Sequence, residues 1–128
     1  MKTRSLKILG LGLGLVIAPA ARAQPPEAVQ QEINHLIRHI GDSGCEFKRN
    51  GAWSDAKAAQ THVRSKYDLL ATLGMIDTAK DFIDKAATKS SVSDQPYEIR
   101  CGGDLPVPGS LWLTIELARY HAFPRLCR

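Results

Sequence analysis

Two pairs of side chains stand one helical turn apart and could carry chemistry: His35 with His39, and His62 with Lys66. Histidines at i, i+4 can share a metal. Here Leu36-Ile37-Arg38 separates them, without the glutamate of a zinc protease, and no third ligand is near in sequence. At 100° per residue His35 points about 140° away from the apolar stripe of its segment. Two solvated histidines and no metal are therefore expected. His62 and Lys66 border the apolar stripe of a second helical segment instead of facing away from it. A histidine at such a flank can take the proton of a hydroxyl nucleophile. Ser90, Ser91 and Ser93 supply hydroxyls in the later stretch ATKSSVSDQPYEIRC.

A hydrolase needs more than a histidine and a serine: an oriented acid, an oxyanion hole and a strained turn under the nucleophile. No G-x-S-x-G elbow and no Ser-x-x-Lys pattern is present. The serines read better as turn and cap formers. Asp77, Asp81 and Asp84 lie along one helical segment, where the first two suit a positive helix N-terminus and the third a solvated face. No glycine loop precedes a helix in the manner of a phosphate cradle, since Gly102-Gly103 lead into Asp-Leu-Pro.

The elements that must position these groups follow from periodicity. Val29, Ile33, Leu36, Ile37 and Ile40 recur at helical spacing, predicting a first helix from about Pro26 to Ile40. Asn50-Gly51 is a hairpin signal, because both central positions of a type I′ turn need positive φ. Short strands are expected at Cys45–Arg49 and Ala52–Trp53. Ser54 or Asp55 then caps a second helix reaching Leu73, with Ala56, Ala59, Val63, Tyr67 and Leu70 as its stripe. A third helix is expected from near Asp77 to about Thr88, opened by Thr78 and Asp81 as a capping box. Tyr97, Ile99 and Cys101 alternate with Glu98 and Arg100, predicting a half-buried strand. The segment GGDLPVPGS reads as a loop. Ser110 caps a fourth helix over Leu111–Ala122. Apolar residues lie on both sides of that helix, which predicts burial on several sides or contact with a second copy.

The expected fold class is α+β: about four helices packed on a small antiparallel sheet made from the Asn-Gly hairpin and one later strand, stapled by a disulfide. Of the three cysteines, Cys45 and Cys101 stand at the ends of predicted strands, and Cys127 is next to last. Cys45–Cys101 is the expected bridge, with Cys127 as the free thiol. Cys101–Cys127, or a homodimer linked through Cys127, are the alternatives.

Lys2, Arg4 and Lys7 precede an apolar run at 8–17, and Ala21-Arg22-Ala23 offers small residues before a cleavage point. This pattern predicts a secretory signal peptide at 1–23, removed after Ala23, and a single small secreted domain at 24–128 in the periplasm. The run is too short to span a bilayer, which needs about 20 residues. Four of the 17 lysines and arginines, and none of the 13 acidic residues, fall in that leader. The remaining chain is then balanced in charge, which excludes the electrostatic footprint of a nucleic-acid binder. No membrane span is expected after cleavage.

The motifs RNG at 49–51, AAQTHVRSKY at 58–67, IDTAKDFIDKAATKSS at 76–91 and PYEIRC at 96–101 carry a resemblance. The chain resembles the YfeK-like family of small exported bacterial proteins of unknown function. The resemblance covers about Phe47 to Cys101, and the outer two helices match only in character. Gln95 stands where that family often has glycine. The resemblance implies a soluble periplasmic domain with no assigned reaction. The polar motif residues Arg49, Asn50, His62, Lys66, Ser90, Ser91 and Tyr97 are expected to meet where the hairpin and last strand lie beside the second helix. Such a cluster binds an anion or peptide, or fixes helix-to-sheet packing as a hydrogen-bond network. The expected function is a non-enzymatic binding or interaction module whose partner is an envelope protein or peptide, with no cofactor. The alternative is a small serine-type hydrolase using Ser90 or Ser91 with His62.

Overall fold

The computed structural model describes residues 24–123, together with residue 3 and residues 10–16. The cleavage point after Ala23 and the cysteine at 127 lie outside the described residues. Among the described residues no helix is long and apolar enough to cross a membrane.

Among the described residues, four helices and a four-stranded antiparallel sheet make an α+β fold. Helix α1 (Glu27–Asp42) is followed by strands β1 (Glu46–Arg49) and β2 (Ala52–Asp55), then α2 (Ala56–Thr72) and α3 (Ala79–Ala86). Strands β3 (Glu98–Arg100) and β4 (Val107–Pro108) lead into α4 (Gly109–Ala122). Sheet order is β2-β1-β3-β4. The hairpin turns through Asn50 at φ 52° and Gly51 at φ 79°, as its type I′ signal requires. Asp55 caps α2 by accepting from the Ala58 amide at 2.8 Å. Thr78 and Asp81 form the reciprocal capping box at the start of α3.

The core lies between the helices and one face of the sheet. Ile33, Leu36, Ile37 and Ile40 of α1, Phe82 and Ile83 of α3, and Ile76 before it are all but inaccessible. The register pairs Lys48 with Trp53 and with Glu98, and Glu46 with Arg100. Because side chains alternate along a strand, these residues share the outer face. There Arg100 lies 4.0 Å over the Trp53 ring and pairs with Glu46 at 3.1 Å. By the same alternation Phe47, Arg49, Ser54 and Ile99 share the inner face, toward α2. Cys45 and Cys101 flank the Glu46–Arg100 pair on neighbouring antiparallel strands, and the Cys45–Cys101 bridge joins them with Cα atoms 4.4 Å apart. That is the spacing of directly opposed residues in a narrow antiparallel pair.

Three expectations need correction. The segment read as a loop contains β4, whose Val107 pairs with Ile99. A two-residue strand ending in proline has no period to read, and proline is tolerated because the strand is at the sheet edge. Helix α4 starts at Gly109 after Pro108 and has no side-chain cap, so Ser110 is not its N-cap. The outer face of α4 is not buried within the fold either: Leu111 and Ile115 are each 51% exposed, while Leu113 and Glu116 face inward.

Candidate functional site

The inner face of β1 ends with Arg49, and α2 runs beside it. Arg49 sits at the last strand position before the Asn50-Gly51 turn, which turns its guanidinium toward α2. His62 meets it there. Arg49 Nη1 donates to His62 Nδ1 at 2.6 Å and is 3.3 Å from Nε2. With Nδ1 accepting, the neutral ring carries its proton on Nε2, which donates to Tyr97 Oη at 3.1 Å. One turn along α2, Lys66 Nζ donates to the Lys89 carbonyl at 2.8 Å and reaches Tyr97 Oη at 3.5 Å. Its ammonium also lies 5.4 Å from the centre of the Tyr97 ring. Tyr97 is buried, immediately before β3, and two residues of α2 converge on its hydroxyl.

No carboxylate forms an ion pair with Arg49 or Lys66 among the described residues. Burial is the main cause of a His62 pKa below the usual 6.5, and Arg49 and Lys66 lower it further. Burial likewise lowers the Lys66 ammonium and raises the Tyr97 phenol, although Arg49 opposes the latter. The cluster is thus a short chain of donors, Arg49 to His62 to Tyr97, with a second cation alongside. Since Tyr97 Oη accepts from both His62 and Lys66, its own proton is not used by either contact.

Beneath this cluster lies a pocket of about 80 Å³. Ile40, Ala59, Val63 and Leu113 form its apolar floor, and Arg49, His62 and Tyr97 lie on its polar side.

The other residues of the expected cluster stand apart. Asn50 Oδ1 accepts from Ser93 Oγ at 2.5 Å, tying the hairpin turn to the loop after α3. Ser90 is buried, and its hydroxyl accepts from the amides of Val92 and Ser93 at 3.2 and 3.3 Å. It caps its own turn, in which Asp94 adopts φ 60°. Ser91 is exposed and makes no side-chain hydrogen bond among the described residues. Neither serine bonds His62, whose ring contacts go to Arg49 and Tyr97. A base–nucleophile pair is therefore not formed.

A second polar cluster was missed from sequence. Glu116 of α4 is only 6% exposed and meets both histidines of α1. Its carboxylate oxygens lie 2.9 Å from His35 Nε2 and 3.5 Å from His39 Nε2, and Arg119 approaches at 3.3 Å. His39 stacks on Trp112 at 4.3 Å and His35 lies against Tyr120 at 4.7 Å. The expectation of two solvated histidines is corrected, because α4 packs along the side of α1 that periodicity leaves open. The available signal was an acid within the inward stripe of Leu113, Leu117 and Tyr120. Each histidine takes its own oxygen of one carboxylate, and no group of three potential metal ligands is disposed to hold an ion among the described residues.

The fold and the pocket together define a small disulfide-bridged α+β protein with a basic-edged apolar pocket. Residues 27–121 match the family of unknown function DUF5329, and the chain belongs to that family. It is also similar to the uncharacterized protein YfeK of Salmonella typhimurium strain LT2, 33% identical over 92 residues, covering 71% of this chain and 75% of that protein. No solved structure matches the chain significantly.

Proposed function

We propose that this protein is a binding module of the bacterial periplasm, and that Arg49, His62, Lys66 and Tyr97 form its recognition cluster at the apolar pocket. One observation carries the reading: Arg49, His62 and Tyr97 line a pocket with an apolar floor, Lys66 stands behind Tyr97, and no carboxylate pairs with either cation among the described residues. A network serving only to fix packing gains by including an acid, as the Glu116 cluster does. Uncompensated like charge is retained at a stability cost where a ligand will supply the counter-charge. The periplasmic location rests on the leader pattern of residues 1–23.

The test is an amide-resolved NMR titration of the purified protein with a set of small neutral and anionic fragments. Saturable shifts are expected at Arg49, Ala58, His62 and Tyr97, and the Ala58→Leu variant should abolish them. Ala58 is an exposed residue lining the pocket, so leucine there covers the mouth without entering the core. Shifts scattered over the surface, or none, refute the reading.

A further inference from the structure

We infer that the pocket takes a carboxylate carrying a short aliphatic group, of about three to four carbons. This inference rests on the binding reading above and names the ligand's chemistry. Size is the first argument. At about 80 Å³ the pocket is roughly half the ~150 Å³ cavity that holds a benzene ring. A group of about three to four carbons matches that volume, and the rest of a longer chain would lie outside it. Lining is the second. Ile40 is 1% exposed, Leu113 3% and Val63 7%, so the floor offers a bound group dispersion contacts and no hydrogen bonds. A free phosphate or sulfate would leave that floor unused.

The donor set is the third argument. Arg49 reaches the polar side of the pocket from an exposed position on β1, with one guanidinium nitrogen held by His62. Its remaining N–H groups form the planar fork that matches two carboxylate oxygens. Tyr97 Oη adds one further donor, because His62 and Lys66 already donate to it. Two donor groups suit the two oxygens of a carboxylate. The several oxygens of a phosphate ester would call for more donors than Arg49 and Tyr97 provide. His62 and Lys66 act through Arg49 and Tyr97 as positioning residues: the ring holds the guanidinium against the pocket, and the ammonium helps orient the phenol.

The same chemistry occurs in a free short-chain acid and at the C-terminus of a peptide ending in a small aliphatic residue such as valine. The experiment separates the two. The purified protein is titrated with 3-methylbutanoate, its amide, octanoate, and N-acetyl-Gly-Val as free acid and as C-terminal amide, observed by amide NMR shifts.

3-Methylbutanoate should bind at least about tenfold more tightly than its amide, and Arg49→Gln should remove that preference. Octanoate should gain nothing from its longer chain. Tighter binding of N-acetyl-Gly-Val than of 3-methylbutanoate assigns the site to peptide C-termini, and the reverse assigns it to free acids. Equal binding of acid and amide overturns the carboxylate inference while leaving the pocket a binding site. Shifts with neutral fragments but none with either acid do the same. No shift with any compound overturns both readings. Arg49 is exposed, so its replacement leaves the core untouched, and an unchanged amide spectrum of the free variant verifies that the fold persists.

Discussion

His62 shows how one residue acquires a role from its neighbours. At sequence scale it is a histidine at the edge of a stripe; in the fold it links a guanidinium to a buried phenol. Its pKa is lowered, chiefly by burial and then by Arg49 and Lys66. Between that lowered value and about 6.5 the unfolded chain holds more protons than the folded one, so stability rises with pH across this window. It is fully present above about 6.5 and is lost as pH falls. His39 is displaced in the same direction, mainly by burial against the pull of Glu116, so the wild-type profile contains both. The difference between wild type and His62→Gln isolates the His62 contribution. Denaturant unfolding from pH 5 to 8 should show the wild-type stability falling toward acid more steeply than that of the variant. Parallel profiles would remove the lowered titration of His62.

At the scale of elements, much of the design was legible. The Asn50-Gly51 turn, the Asp55 cap and the Thr78–Asp81 capping box each satisfy a local backbone need that residue type alone announces. The stripes of α1, α2 and α3 were legible for the same reason, since burial of one helix face repeats every 3.6 residues. What escaped depended on which elements meet. Strand β4 is defined by its partner β3 and not by its own pattern. Arg49, His62, Lys66 and Tyr97 converge, but Ser90 turns its hydroxyl to its own loop, a choice set by local amides that sequence distance does not reveal. The α1–α4 joint was hidden because it is polar. Glu116 there receives His35, His39 and Arg119 from both sides of the contact. A hydrogen bond to a charged group contributes about 1.5–3 kcal/mol. Glu116→Ala should therefore lower unfolding stability by about 2 kcal/mol or more, whereas solvated histidines would predict almost no change. Equilibrium urea unfolding distinguishes these outcomes.

For the molecule as a whole, the Cys45–Cys101 bridge joins halves that a long segment separates. Strand β1 pairs with β2 through a two-residue turn, a contact that costs little chain entropy. Its other neighbour is β3, and α2, α3 and the serine loop lie between them in sequence. The bridge sits one residue beyond the Glu46–Arg100 pair and holds that non-local pairing in register. It closes a loop with a sequence separation of 56, which in the chain-entropy picture destabilises the unfolded state by about 4 kcal/mol. A domain of this size has a total stability of about 5–15 kcal/mol, so the bridge is a large share of the margin. The pocket spans the same pairing, because Arg49 and Tyr97 lie on opposite sides of it. The Cys45→Ala/Cys101→Ala double variant should lose about 4 kcal/mol in denaturant unfolding, with a somewhat larger m-value because its unfolded chain is less compact. Under conditions where it stays folded, its pocket amides should keep the wild-type shifts, since Phe47, Ile99 and the strand hydrogen bonds still align β1 with β3. A loss below about 1 kcal/mol would mean that the unfolded chain already holds the two strands together, and that the bridge records the pairing without enforcing it.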